Sequence, residues 1–156
     1  MDALALPVSE YLTPAPYAVG PKEPLANAAR LMSKYGLREL PVRAEGQLVG
    51  LLSGRDLRLV SSLTRAPPEA MTVDAVMTPA PRSVALDTPL YEVVHTMADG
   101  NAEAVVVLEA GRIAGVFTAL DAMRVLAGAL DRASERVRSV RRGHEPRRGP
   151  RGRAVR

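Results

Sequence analysis

One short pattern with the means to do chemistry occurs twice in the chain, as Gly50-Leu51-Leu52-Ser53-Gly54-Arg55-Asp56 and as Gly115-Val116-Phe117-Thr118-Ala119-Leu120-Asp121. In each, an apolar run of strand type ends in a hydroxyl residue, and a carboxylate follows three positions later. That spacing is a helix capping arrangement, in which the hydroxyl accepts from a first-turn amide and the carboxylate reaches back to the cap's own N–H. The same geometry suits a ligand. A helix start at the carboxyl end of a strand presents free N–H groups and the positive end of the helix dipole, which attract a phosphate. The hydroxyl of Ser53 or Thr118 adds a donor, and Asp56 or Asp121, one turn in, can accept the two hydroxyls of a ribose. Cap and ligand site are compatible roles for these residues.

Rival chemistry is thin. There is no cysteine, which excludes disulfides, thiolate metal sites and cysteine nucleophiles, and makes a reducing cytoplasm the expected compartment. His95 lies beside an apolar helical stripe and reads as a partly buried structural residue, while His144 stands in an arginine-rich tail. No cluster has metal-ligand spacing. Neither a Gly-x-Ser-x-Gly elbow nor a Gly-x-x-x-x-Gly-Lys phosphate loop occurs, so the expectation is a protein without catalytic activity.

The elements that hold the two motifs are themselves duplicated. Shifted by 65 residues, the sequence lies on itself without a gap, with 12 identities in the 46 pairs that set 11–56 against 76–121. Thr13-Pro14-Ala15-Pro16 falls on Thr78-Pro79-Ala80-Pro81, Pro24-Leu25 on Pro89-Leu90, and Gly50 and Asp56 on Gly115 and Asp121. Such self-similarity marks a repeated structural unit. Leu25, Ala28, Ala29 and Met32 stand at i, i+3, i+4 and i+7, as do Leu90, Val93, Val94 and Met97, each the stripe of a short amphipathic helix. Pro24 and Pro89 precede these helices, and Gly36 and Gly100 lie where they would stop. A hairpin follows in each copy: strands 39–43 and 48–52 about a tight turn at Glu45-Gly46, and strands 104–108 and 113–117 about Ala110-Gly111. A second helix starts near Ser53 or Thr118, and Pro67-Pro68 breaks the chain within a linker spanning 62–75.

The ordered set, present twice, resembles the CBS-domain pair, or Bateman module. The resemblance covers roughly residues 7–130 and includes the lead-ins Val8-Ser9-Glu10-Tyr11-Leu12-Thr13 and Val73-Asp74-Ala75-Val76-Met77-Thr78, and the hairpin entry Leu40-Pro41-Val42. It implies a stand-alone α/β (α+β) protein of two pseudo-symmetric β-α-β-β-α repeats packed sheet to sheet. The expected boundaries are 1–65 for the first repeat, 66–130 for the second, and 131–156 for a basic tail that is mostly disordered.

The resemblance also implies a function: a regulatory module that binds AMP, ADP, ATP or S-adenosylmethionine in the cleft between repeats and biases a protein it regulates. The adenosine nucleotide would be a ligand and not a catalytic cofactor. Asp56 and Asp121 would hold ribose, and Ser53 and Thr118 would approach phosphate. Tyr17, Ala18 and Val19, with Arg82, Ser83 and Val84, would line adenine through backbone groups. Pro41 belongs to the hairpin entry, and some members carry a basic residue just ahead of it, where this chain has Arg38. Arg55 adds a guanidinium beside Ser53. The expectation is therefore that the first repeat's helix start, with Arg55 and Arg38, is the better phosphate site, and that Glu103 opposes an anion at the second.

Charge is split along the chain. Residues 1–130 hold 11 Lys+Arg against 14 Asp+Glu, a net −3, whereas 131–156 hold 10 Arg against 3 acids, a net +7. Low hydrophobicity with high charge cannot offset ordering entropy, so the tail is expected to be helical only to about Arg138. Such arginine density supports an alternative reading, an interaction protein whose tail contacts nucleic acid or an acidic partner while the repeat pair sets oligomeric state. No apolar stretch approaches the roughly 20 residues that span a bilayer, and the amino terminus lacks a basic leader region, so a cytoplasmic protein without membrane contact is expected. Leu57, Leu59, Val60, Met123, Leu126 and Leu130 give more apolar helix surface than one pair can cover, which predicts a homodimer.

Overall fold

The computed structural model describes residues 5–143. Its α+β architecture consists of two sheets and four helices. In the first repeat, β1 (Thr13–Pro14) leads to α1 (Leu25–Tyr35), the hairpin β2 (Glu39–Ala44) and β3 (Gln47–Ser53), and α2 (Gly54–Leu63). In the second, β4 (Thr78–Pro79) and β5 (Ser83–Ala85) precede α3 (Leu90–Asp99), the hairpin β6 (Ala104–Glu109) and β7 (Arg112–Thr118), and α4 (Ala119–Gly143).

The local signals act as their chemistry requires. Leu25, Ala28 and Met32 are buried on α1, and Leu90, Val93 and Met97 on α3. Both hairpins turn on two residues of positive φ, Glu45-Gly46 and Ala110-Gly111, whose backbone twist matches that of the flanking strands. Gly36 ends α1 in the left-handed conformation at φ 63°. Its counterpart by the 65-residue shift is Asn101, also left-handed at φ 48°, whereas Gly100 stays right-handed at φ −89°. Asparagine tolerates that region. Gly100 serves a different need, because a Cβ there would stand 2.2 Å from Nε of Arg82.

The lead-in segments change places. Thr13 and Pro14 of β1 pair with Val116 and Gly115 of β7, while Thr78 and Pro79 of β4 pair with Leu51 and Gly50 of β3. One sheet thus runs β1-β7-β6-β5 and the other β2-β3-β4. Val8, wholly buried, joins Leu90, Val107 and Phe117 in the second core, and Val73 joins Leu25, Leu40 and Leu52 in the first. Reciprocal backbone bonds fix the exchange: Leu25 N–H to Met71 and Val73 N–H to Glu23 on one side, Leu90 N–H to Leu6 and Val8 N–H to Thr88 on the other. The linker therefore carries short 3-10 turns at Pro68–Ala70 and Val73–Ala75, the second docked into the first core.

Leu51, Val106 and Val116 are buried yet belong to neither helix-covered core. Alternation along the strands puts them on the opposite face, where the two sheets pack. Gly50 and Gly115, one position before Leu51 and Val116, face the helix-covered cores instead, where they permit close approach of the exchanged lead-ins. A Cβ at Gly115 would meet Leu12 and the Thr13 carbonyl, and one at Gly50 would meet Met77.

Three helical details depart from expectation. Residues 131–143 continue α4, so the helix passes Arg138 by five residues, and 144–156, with His144, lie outside the described residues. Glu135 three residues ahead of Arg138, with arginines gathered toward the carboxyl end, suits a helix and its dipole. His95 is exposed on α3 and is not part of a core. Leu57 and Val60 pack against the first core, whereas Leu59, Met123, Leu126 and Leu130 are exposed.

Candidate functional site

Both motif carboxylates close capping boxes. Asp56 Oδ2 accepts from the Ser53 N–H at 2.8 Å and its hydroxyl at 2.7 Å, while the Asp56 N–H donates to Ser53 Oγ at 3.1 Å. Asp121 repeats this with Thr118 at 2.9, 2.7 and 3.2 Å. The next amide is also taken, since Gly54 N–H donates to the Arg38 carbonyl and Ala119 N–H to that of Glu103. These bonds leave the N–H of Arg55 and of Leu120 as the unengaged amides of each first turn. The free amides expected at the helix starts are thus mostly spent on the fold. Any preference for an anion rests on side chains.

Two clefts flank the sheet seam, and the pseudo-twofold relates them residue by residue. One, about 230 Å³, is lined by Pro16, Tyr17, Arg38 and Glu39 of the first repeat and by Thr118, Asp121 and Arg124 of the second. The other, about 620 Å³, is lined by Pro81, Arg82 and Glu103 of the second repeat and by Ser53, Arg55 and Asp56 of the first, with Glu39 again at its edge. The smaller volume has a visible cause. Tyr17 stacks on Tyr35 at 4.2 Å between ring centroids, where the larger cleft has Arg82 against Gly100.

The clefts are built crosswise, which corrects the sequence-based grouping of charges. Arg38 does not join Ser53, Arg55 and Asp56. Its side chain lines the cleft of Thr118 and Asp121, and Glu103 lines the cleft of Ser53. At position 38 and its counterpart 103 the carbonyl meets one helix start, while the residue lines the cleft of the other. Glu103 there pairs with the Arg55 guanidinium, while Arg124 pairs with Asp121 Oδ1 at 3.2 Å. Arg38 makes no side-chain hydrogen bond or ion pair among the described residues.

Of the remaining expected residues, Ala18, Val19, Pro41, Ser83 and Val84 line neither cleft. Val19 is buried in the first core; its N–H donates to the Pro41 carbonyl and its own carbonyl accepts from Arg43. Ser83 and Val84 pair with Val106 and Val107, and the Arg82 carbonyl accepts from Val106. These bonds tie Val19 and the Arg82 carbonyl into the strands. Sequence reasoning missed the walls formed by 13–16 and 78–81, although Thr-Pro-Ala-Pro is the longest identical block of the repeat. It also missed Arg124.

Glu39 lies between the clefts and is half-buried. Burial pushes its carboxyl above the ordinary carboxylate range; the charges of Asp121 and Glu103 act in the same direction, and Arg38 opposes them. Asp121 is itself buried, at 8% exposure. Paired carboxylates beside hydroxyl caps, with a cation at the rim, can hold a polyol that carries a charged group. Among the described residues no group of three metal-ligating side chains is present.

Comparison with known proteins agrees with this architecture. The family description "CBS domain" matches residues 8–62 and again 73–128. An inosine-5'-monophosphate dehydrogenase of Staphylococcus epidermidis is 30% identical over 114 residues, 71% of this chain but 22% of the dehydrogenase. Other curated relatives are matched over as little as 15% of their length, so the chain spans only a minor part of the curated relatives it resembles. An uncharacterized conserved protein from Pyrococcus horikoshii superposes with a TM-score of 0.69 at 28% identity, over 80% of this chain and 93% of that one. CBSX2, solved in complex with AMP, superposes with a TM-score of 0.61 at 25% identity, over 81% and 97%. With both repeats matched and solved relatives covered over nearly their whole length, the chain belongs to the CBS-domain family, as a tandem pair.

Proposed function

We propose that this chain is a cytoplasmic regulatory module that binds an adenosine nucleotide in the clefts between its repeats and has no catalytic activity of its own. The observation that carries the reading is the paired construction of the clefts. In each, one repeat supplies a capped helix start with a carboxylate one turn in, and the other supplies the opposing wall. The Oδ1 of Asp56 is left over from its capping bonds and can accept ribose hydroxyls. The AMP complex of CBSX2 supports an adenosine ligand. No helix among the described residues is long and apolar enough to cross a membrane, which accords with the compartment proposed.

A homodimer completes the reading. On α4 the exposed apolar residues Met123, Leu126, Leu130, Val137 and Val140 follow heptad spacing, with exposed Ala133 in the one remaining place. That seam matches what a second helix of the same kind would cover. The extension of α4 also supports the alternative, in which exposed Arg132, Arg136 and Arg138 contact nucleic acid or an acidic partner.

A thermal-shift screen with AMP, ADP, ATP, NAD and S-adenosylmethionine tests the main reading. A ligand at a hundred times its Kd stabilises the folded state by about 2.7 kcal/mol through mass action. At least one of these compounds is expected to raise the melting temperature; a flat result across all five removes the nucleotide reading.

A further inference from the structure

The two clefts share a plan but differ in where their charges sit: Arg38 of one has Glu103 as its counterpart in the other, Tyr17 has Arg82, Leu120 has Arg55 and Arg124 has Leu59. With most first-turn amides engaged by the fold, side chains decide whether a phosphate is stabilised. In the cleft of Thr118 and Asp121, Arg38 stands at the rim and forms no ion pair among the described residues, while Arg124 is held by Asp121. In the cleft of Ser53 and Asp56, Glu103 occupies the equivalent place and neutralises Arg55, the guanidinium that accompanies that helix start. The remaining cation there, Arg82, lies against Gly100 on the opposite wall.

Resting on the nucleotide reading above, we propose that the clefts divide by charge. The Arg38 cleft takes the phosphorylated adenosine ligand, and the Glu103 cleft takes an adenosyl ligand without phosphate. A phosphate entering the second cleft meets Glu103 and Asp56 beside the already paired Arg55, with Arg82 on the far wall; Glu39 lines both clefts, so the carboxylate that sets the second apart is Glu103. The Arg55–Glu103 pair is itself no barrier. Both side chains are about two-thirds exposed, at 70% and 68%, and an exposed pair of this kind contributes little. The discrimination comes from the carboxylate that remains beside the phosphate when Arg55 turns toward it.

Titration calorimetry of the full chain with AMP and with adenosine reads this out. The wild type is expected to bind one AMP per chain, with any second AMP at least tenfold weaker, and to bind adenosine at the other cleft. Glu103→Gln should bring the second AMP to within tenfold of the first. Arg38→Gln and Arg38→Glu should weaken the tight AMP at least tenfold and leave adenosine binding in place. Both positions are exposed, and thermal melts verify that each variant folds. Two equal AMP sites in the wild type, an unchanged stoichiometry in Glu103→Gln, or AMP binding that survives Arg38→Gln and is lost in Arg82→Ala would each overturn the division while leaving nucleotide binding intact. Absence of heat with both ligands in every variant would instead remove the nucleotide reading, and the division with it.

Discussion

Adding a Cβ at Gly115 would set it 2.5 Å from both the Thr13 carbonyl oxygen and Cδ1 of Leu12, whereas at Gly50 the close atoms all belong to the Met77 side chain. A thioether can swing aside, but a paired strand carbonyl cannot. Overpacking of this kind costs typically 1–3 kcal/mol. Gly115→Ala is therefore expected near the upper end of that range and Gly50→Ala near the lower, read as melting temperatures of the two variants; equal losses would contradict this account of how the lead-ins pack. Glu39 poses a different question at the same scale. Its raised pKa means that the folded state holds the proton more tightly than the unfolded chain does. Stability conferred by that proton is present at low pH and is lost as pH climbs through the ordinary carboxylate range to the raised value. Glu39→Gln should abolish this decline and leave the protein more stable than wild type at neutral pH, in melts recorded from about pH 4 to about pH 7. A variant with the same pH dependence as wild type would place the titration elsewhere.

Helices and hairpins were legible because their signals are local. A stripe at i, i+3, i+4 and i+7, a glycine in a two-residue turn and a hydroxyl three residues ahead of a carboxylate each need only neighbours in sequence. The exchange of lead-ins left no such trace. Val8 and Val73 sit in short segments without periodicity, and their partners lie far along the chain, as the bond from Val8 N–H to the Thr88 carbonyl shows. The crossing of Arg38 into the second repeat's cleft follows from the same pseudo-twofold, which is why the charges could be counted from sequence but not assigned. On α4, spacing alone holds more than was read from it, since the heptad stripe runs past the body of the protein. Leu130→Asp combined with Val137→Asp should convert a dimer to a monomer of about 17 kDa in light scattering at micromolar concentration without loss of ligand binding. A double variant that stays dimeric would move the interface away from α4.

At the scale of the whole molecule, the exchange decides what counts as a folding unit. Each helix-covered core contains a residue donated by the other repeat, Val73 in the first and Val8 in the second, and both are fully buried. The strands Thr13–Pro14 and Thr78–Pro79 likewise extend the other repeat's sheet. Neither repeat can open without removing a strand and a core side chain from its neighbour, so the pair is expected to unfold in one transition although it is built from two copies. Truncating one buried valine to alanine costs roughly 2 kcal/mol in lost transfer energy and cavity. For a chain of this size each kcal/mol lowers Tm by about 2–4 °C. Val8→Ala and Val73→Ala should therefore each depress a single calorimetric transition by about 4–8 °C, even though the two residues lie in different cores. If either variant split the transition in two, with only the core that contains the substitution melting early, the repeats would be independent units and the exchange only a surface contact.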